Sequence, residues 1–228
     1  MFIGHFGLGM AGKKYMPEVS LGVLFLSVQL VDLIWPFLLL AGLEEVRIEP
    51  GFTAANPFNM VNYPITHSLL GGILWAIAFG GIYYFIKKSK KIGLFLAGGV
   101  ISHWFLDLLM HKPDLPIYPG GAKYGFGIWD SVPLTIAIEL LLFAGGIYLY
   151  LKSTKADDKA GIWSFWGLVV ILSIGWVGSI FGPPPESSEA LAYSALSVWV
   201  FIIWGFGIDK HRSPVNLNSK SGFGPTAI

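Results

Sequence analysis

The residues with the clearest chemical potential lie in one apolar segment, from Ser102 to His111. His103, Asp107 and His111 are spaced four residues apart within it. If the segment is helical, a rotation of about 100° per residue places His103 and Asp107 on one face, with His111 a turn further along. Two imidazoles and a carboxylate at this spacing are typical ligands of a metal ion. The structural alternative is a hydrogen-bonded His–Asp pair that packs one helix against another.

The composition is typical of a membrane protein. Of the 228 residues, 54% are hydrophobic and 13% are charged, and the mean hydropathy is +0.64. A net charge of +1 provides no basic surface for nucleic acid, which we exclude as a partner. The chain contains no cysteine, so a metal would be held by histidine, aspartate and glutamate. Ionisable groups inside a membrane are costly, and a functional site is the first hypothesis for them.

Six apolar segments are long enough to cross about 30 Å of hydrocarbon, which takes roughly 20 helical residues. They lie near residues 21–43, 65–86, 93–110, 134–151, 161–181 and 190–208. Their apolar runs are continuous and lack the alternation of β-barrel strands. We therefore predict an all-α fold, a polytopic membrane helical bundle with about six transmembrane helices. Residues 1–212 are expected to form a single domain, followed by a loose polar tail at 213–228.

Basic residues concentrate in alternate connections between these segments. They are Lys13, Lys14, Lys87, Lys88, Lys90, Lys91, Lys152, Lys155, Lys159, Lys210 and Arg212. By the positive-inside rule, this pattern predicts a multi-pass membrane protein with both termini in the cytoplasm. The apolar stretch 2–11 precedes the first lysine pair instead of following it, so we expect no cleaved signal peptide.

Two longer loops, at 44–66 and 112–132, fall on the outer side of this topology. Both are rich in proline, glycine, asparagine and aromatic residues. Loops of this length are usually functional or disordered, and their apolar content argues against disorder. We expect them to fold over the outer end of the bundle, either as a lid or substrate wall or as structural caps.

Other ionisable residues fall at the depth of His103 and Asp107. Asp32 lies near the middle of the first segment, where an unpaired carboxylate would be costly unless a cation lay beside it. Glu139 lies in the outer part of the fourth segment, and His67 begins the second. This shared depth predicts one outward-facing site. His5 can join it only if residues 2–10 fold back into the bundle as a re-entrant segment.

Five motifs follow one another along the first 150 residues. They are Gly4-His5-Phe6, Asp32-Leu33-Ile34-Trp35-Pro36, Tyr63-Pro64-Ile65-Thr66-His67-Ser68, Ser102-His103-Trp104-Phe105-Leu106-Asp107 and Asp114-Leu115-Pro116-Ile117-Tyr118-Pro119-Gly120-Gly121. In their types and order they resemble the bacterial membrane-bound metal-dependent hydrolase family, which is regarded as a distant relative of zinc-dependent phospholipase C. The last two apolar segments add little to this resemblance.

The resemblance implies a divalent metal, zinc by analogy, present as one ion or a bridged pair. Its implied ligands are His5, Asp32, His67, His103 and Asp107, with His111 as a match to a histidine that comes later in the phospholipase. Glu139 has Thr135 four residues before it, where the phospholipase has histidine. This departure puts a third metal in doubt.

The residue types suggest individual roles. We assign Asp107 as the bridging ligand, and Asp32 as a ligand that also orients or deprotonates the attacking water. Glu139 is a candidate partner that fixes a histidine tautomer. Lys112 and Lys123 are candidates for attracting a substrate phosphate.

Three functions are compatible with these residues. The leading hypothesis is a membrane-embedded metal-dependent hydrolase of a phosphoester or related ester at the outer face of a bacterial cytoplasmic (inner) membrane. Membrane lipid would be a partner, and a lipid or small phosphoester the substrate. Intramembrane carboxylates also serve ion- or proton-conducting transporters. The third possibility is an accessory membrane subunit without catalysis. The oligomeric state is left open.

Overall fold

Helices dominate the protein. A computed structural model describes residues 1–215. Its helices are α1 Ile3–Tyr15, α2 Leu21–Leu40, α3 Pro64–His67, α4 Leu69–Lys87, α5 Lys90–Met110, α6 Val132–Ser153, α7 Lys159–Phe181, α8 Ser188–Ala195 and α9 Val198–Ile208, with a 3₁₀ turn at Ile128–Asp130. Within these described residues, six segments are long and apolar enough to span a membrane: α2, α4, α5, α6, α7 and the α8–α9 pair. The predicted all-α polytopic bundle is confirmed.

Serine caps set two helix boundaries that the apolar runs do not reveal. The second predicted segment begins at residue 65, but the backbone is extended at Ser68, which ends α3. The Ser68 hydroxyl then accepts a hydrogen bond from Gly71 N (2.9 Å) in the first turn of α4. Ser89 caps α5 in the same way, through Ile92 N (3.3 Å). Such caps satisfy N–H groups that have no partner within the helix.

Short strands are confined to the connections. They are β1 Glu45–Ile48, β2 Phe58–Asn62, β3 Leu115–Pro116, β4 Lys123–Tyr124, β5 Thr154–Ala156 and β6 Arg212–Pro214. The pairs β1–β2 and β3–β4 are antiparallel and fold the two long outer loops. The pair β5–β6 anchors residues 212–214, so the predicted loose tail does not begin at residue 213, because strand pairing holds that backbone. The rest of that tail, from residue 216 on, lies outside the described residues.

The first helix is inserted into the bundle. Ile3, Phe6 and Met10 of α1 are fully buried and pack in one core with residues of α2, α6, α7 and α9. At 1.5 Å per residue, the 13 residues of α1 are about 20 Å long, too short to cross a membrane. The re-entrant segment that His5 required is therefore present as a buried helix.

Two glycines allow α1 to lie directly against α6. A Cβ atom on Gly7 would stand 2.5 Å from the carbonyl oxygen of Leu142, and one on Gly146 would stand 2.1 Å from the carbonyl oxygen of Gly7. Only backbones without side chains can approach this closely, and small residues are the usual means in membrane bundles. The register between α1 and α6 is thereby fixed.

Buried charges secure the opposite end of α1, at the basic end of the bundle where the lysine-rich connections lie. The Lys13 ammonium donates to the Val19 carbonyl (2.9 Å) and to Asp209 (3.1 Å). Asp209 also accepts a hydrogen bond from Leu21 N at the start of α2. A buried ammonium needs such partners, and this set joins the ends of α1, α2 and α9.

We predict that adding one methyl group at Gly146 destabilises the protein, because that methyl would meet the α1 backbone. Overpacking of this kind costs about 1–3 kcal/mol. Gly146→Ala should lower the thermal midpoint of unfolding in detergent micelles. Gly145→Ala is the matched control, since a Cβ on Gly145 meets no atom within 4 Å, and it should leave the midpoint unchanged or raise it. Equal midpoints for the two variants would contradict the close packing of α1 on α6.

Candidate metal centre

The six residues predicted as metal ligands lie together inside the bundle. His5 comes from α1, Asp32 from α2, His67 from the last position of α3, His103 and Asp107 from α5, and His111 from the residue that ends α5. Five of them are buried, whereas the side chain of Asp32 is 27% exposed. Elements distant in sequence thus place four histidines and two carboxylates around one point.

Asp107 lies at the centre of this cluster. Its Oδ1 is 3.1 Å from His5 Nε2, and its Oδ2 is 3.1 Å from His103 Nε2. The same Oδ2 is 3.7 Å from His111 Nε2 and 3.9 Å from His67 Nε2. The two oxygens of one carboxylate therefore face different histidines, which is the arrangement that a bridging ligand requires.

Asp32 approaches the cluster from the other side. Its Oδ1 lies 3.2 Å from His67 Nε2 and 3.5 Å from His103 Nε2. Two overlapping triads have ligand atoms within 4.8 Å of one another: His5 with His103 and Asp107, and Asp32 with His67 and His103. The rings of His5 and His103 also stack, with centroids 3.7 Å apart.

A backbone carbonyl fixes the orientation of His103. Its Nδ1 lies 2.8 Å from the carbonyl oxygen of Val28 on α2. A carbonyl only accepts hydrogen bonds, so Nδ1 carries the proton and donates it. In the neutral ring, Nε2 then presents a lone pair to Asp32 and Asp107.

A hydroxyl and a carboxylate orient His67 in the same sense. Thr66 Oγ1 donates to Glu44 Oε2 (2.7 Å), so the oxygen of Thr66 is left to accept from His67 Nδ1 (2.7 Å). Glu44 is held in turn by the backbone N–H groups of Ile65 (2.8 Å) and Thr66 (2.9 Å). His67 Nε2 is thereby directed into the cluster as an acceptor.

Asp114 and Tyr63 orient His111. Asp114 Oδ1 accepts from His111 Nδ1 (2.9 Å) and from the hydroxyl of Tyr63 (2.6 Å). Burial, together with the Asp114 carboxylate beside it, raises the pKa of Tyr63 well above its ordinary value. The phenol therefore keeps its proton and donates, which leaves Nε2 of His111 facing Asp107.

This arrangement is suited to a cation. Nε2 of His67, His103 and His111 faces Asp32 or Asp107, whose carboxylates are also acceptors. The Met1 ammonium relieves part of this repulsion at Asp107 Oδ1 (2.7 Å), and the remainder must be relieved by protons on the Nε2 atoms or by a shared cation. Three protonated imidazoles packed together inside a membrane bundle would be costly, whereas a metal uses neutral imidazole whose other nitrogen donates to an oxygen. The donor set of nitrogen and oxygen fits zinc.

Glu139 holds α1 and not a histidine. Its Oε2 accepts hydrogen bonds from the backbone N–H groups of Phe2 (3.0 Å) and Gly4 (3.1 Å). The nitrogen of Met1 lies next to them, 2.7 Å from Asp107 Oδ1. Orientation of histidine, the role assigned to Glu139 from the sequence, is performed by Val28, Glu44 and Asp114. Glu139 instead caps the helix that carries His5.

The two lysines assigned to substrate binding are engaged by the outer loops. Lys112 Nζ donates to the carbonyl of Phe52 (2.6 Å) and pairs with Asp130 (3.3 Å). Lys123 Nζ donates to the carbonyl of Val61 (3.1 Å). Neither lysine lines the cavity that reaches the cluster. Both join the loop at 112–132 to the loop at 44–66.

A cavity of about 680 Å³ connects this cluster to the outside. Asp32, His67, Asp107, His111 and Glu139 contribute to its wall, and the segment 50–58 of the first outer loop covers it. This volume falls in the range of small-molecule binding sites. The first outer loop therefore lines the cavity as well as folding over the outer end of the bundle.

Sequence reasoning missed the residues that orient the histidines. Glu44 appears in the sequence as one acidic residue of an outer loop, and Tyr63, Thr66 and Asp114 only as members of motifs. The available signal was adjacency: Thr66 directly precedes His67, and Asp114 follows His111 by three residues. The carbonyl of Val28 has no signature in a sequence.

Comparison with known proteins places the chain in a membrane protein family. Residues 48–182, more than half of the chain, match the sequence model of the family described as YdjM inner membrane protein. The matched region includes His67, His103, Asp107 and His111, whereas His5 and Asp32 precede it. No curated protein and no solved structure matches the chain.

We predict that Glu139→Ala releases the start of α1, because two buried N–H groups lose their acceptor, at a cost of about 1–3 kcal/mol for each unpaired group. Glu139→Gln keeps an acceptor oxygen and should retain α1. The chain has no cysteine, so Phe2→Cys can report on this position through its rate of maleimide labelling in micelles. Labelling should accelerate in the alanine variant alone. Equal rates in all three backgrounds would contradict the capping role.

Proposed function

The chain belongs to the YdjM inner membrane protein family and is a multi-pass inner membrane protein, and we propose that it is a membrane-embedded, metal-dependent hydrolase of phosphoesters or related esters. One observation carries the proposal. Four histidines and two carboxylates from separate elements converge at the wall of a cavity, and Nε2 of three of the histidines is directed inward as an acceptor. Intramembrane ionisable groups that serve only packing have no need of this orientation.

The metal would be held by residues already close together. His5, His103 and Asp107 form one set of ligands, and Asp32 with His67 extends it, so that Asp107 is placed to bridge if two ions bind. Nε2 of His111 lies 3.7 Å from Asp107 Oδ2, further than Nε2 of His103 at 3.1 Å. A bound zinc ion supplies a water of lowered pKa and polarises a phosphoryl or carbonyl oxygen.

Asp32 is the residue suited to accept a proton from the attacking water. It is the most exposed member of the cluster and lines the cavity, and a general base must reach the proton that it removes. In the proposed reaction, the water oxygen bonds to phosphorus and its proton passes to Asp32. The bond from phosphorus to the leaving oxygen breaks, and that oxygen takes up the proton that Asp32 received and departs as an alcohol.

The proposed orientation follows the charges. Lysine-rich connections lie at the basic end, and the cavity opens among the outer loops at the other end. With the basic end in the cytoplasm, the cavity faces the outer side of the membrane. The end of α9 would then be cytoplasmic.

A transporter is the second candidate, and one feature favours it. The helix that carries His67 breaks at Ser68, directly beside the cluster. Discontinuous helices at the binding site are common in transporters. Ion flux in liposomes that is lost in Asp32→Asn, from a protein that hydrolyses no ester, would establish this candidate in place of the hydrolase.

We predict that the purified protein contains a transition metal, zinc in first place, as one ion or a pair. His103→Ala combined with Asp107→Ala should abolish this content together with hydrolysis of bis(p-nitrophenyl) phosphate. Elemental analysis and absorbance at the nitrophenolate band provide the two measurements. His211→Ala is the control, since His211 is exposed and pairs with Asp158 at the basic end. A wild-type protein without metal, or a double variant that keeps it, would refute the proposal.

We predict a smaller loss of metal affinity from Thr66→Val, because this change removes the acceptor that orients His67. Loss of an outer partner of a metal ligand typically weakens metal binding by about 10–100-fold. Thr66→Ser keeps the hydroxyl and should restore the affinity, as measured by competition with a chromophoric chelator. If the Thr66→Val and Thr66→Ser variants bind metal equally well, the hydroxyl of Thr66 does not position His67.

A further inference from the structure

The cavity has an apolar part that hydrolysis of a small ester does not use. Beyond the cluster, its wall includes Gly178 and Ile180 of α7, Leu191 of α8, and Val198 and Phe201 of α9. Ser179, Ser194 and Ser197 also line this side, and the hydroxyls of Ser179 and Ser194 donate to carbonyls within their own helices. The ionisable side chains among the cavity-lining residues are those of Asp32, His67, Asp107, His111 and Glu139. They belong to α2, α3, α5 and α6, so the α7–α9 side of the cavity is uncharged.

This apolar part is open towards the surroundings of the bundle. Gly175 and Gly178 of α7 line the cavity and are also exposed at the surface of the bundle. Gly175 lies six residues before the end of α7 at Phe181, which is about 9 Å along the helix axis. With the end of α7 at the outer membrane surface, this part of the cavity would lie at the depth of the hydrocarbon.

Space in this opening comes from missing side chains. A Cβ atom on Gly178 would meet no atom within 4 Å, and one on Gly175 would meet the ring of Phe2 at 3.7 Å. Phe2 is hydrogen-bonded through its N–H to Glu139. The apolar opening thus runs directly to the residues beside the cluster.

We propose that this apolar part of the cavity binds a hydrocarbon chain, so that the substrate is a membrane amphiphile with an ester head at the His/Asp cluster. The inference rests on the proposed function and names its substrate class. A chain entering between α7 and α9 would stay in an apolar environment from the bilayer to the site, whereas a polar head would find its partners at Asp32 and the histidines. A small soluble ester would leave the α7–α9 side unfilled.

The test is a variant that fills the opening. Gly178→Leu places a side chain in the empty space, and Gly145→Leu is the control, because a Cβ at Gly145 also meets nothing within 4 Å and Gly145 does not line the cavity. The probes are a phosphatidylcholine with long chains in mixed micelles, its four-carbon analogue, and bis(p-nitrophenyl) phosphate. Binding is measured separately with long- and short-chain phosphonates, whose phosphorus–carbon bond resists hydrolysis.

Gly178→Leu should raise the KM for the long-chain lipid by about tenfold or more. It should weaken binding of the long-chain phosphonate by the same factor. The values for the short-chain probes and for Gly145→Leu should stay within about twofold of wild type. Equal KM values for long and short chains in wild type, or no effect of Gly178→Leu, would overturn the inference while leaving the hydrolase standing. Absence of hydrolysis of every ester by wild type would instead refute the proposed function, and the phosphonates would still report whether a chain binds.

Discussion

The carboxylate of Asp107 is the group on which the rest of the structure depends. It is buried in a membrane bundle, and its two oxygens face four histidines. Such a charge is tolerated only where partners surround it. The short α1 helix brings His5 to one oxygen, and α3 and the end of α5 bring His67 and His111 towards the other. The helices of the bundle are thus arranged around a polar point that hydrophobic packing alone would exclude.

The outer loops extend this arrangement beyond the helices. Glu44 and Asp114 lie in different loops, yet each takes part in fixing one histidine ring. Glu44 acts through the hydroxyl of Thr66, whereas Asp114 accepts directly from His111 and also from the hydroxyl of Tyr63. Lys112 and Lys123 tie the loops to each other. Folded loops are needed because an imidazole is a useful ligand only when its other nitrogen has a defined partner. The same loops therefore cover the site and orient its ligands.

Sequence patterns were sufficient for the parts of this protein that follow from local periodicity. Hydropathy gave the six spans, and four-residue spacing placed His103 and Asp107 on one face of α5. Shared depth brought in Asp32 and His67. The insertion of α1 could not be derived in this way, because it depends on the backbone approach of Gly7 to Gly146, two residues far apart in the chain. The role of Glu139 was missed for the same reason: its partners are backbone N–H groups of α1. The start of α4 was placed four residues early because Thr66, His67 and Ser68 were included in the apolar segment, whereas Ser68 caps the helix that begins at Leu69.

The close contact between α1 and α6 has a consequence for how the protein is made. The groove that receives α1 is completed by the fourth membrane-spanning segment, which the ribosome supplies more than a hundred residues after His5. During synthesis, α1 therefore cannot reach its native packing while only α2, α4 and α5 have entered the membrane. The ligand from α1 joins the others only at a late stage of insertion, so a nascent chain cannot assemble the full cluster before most of the bundle exists.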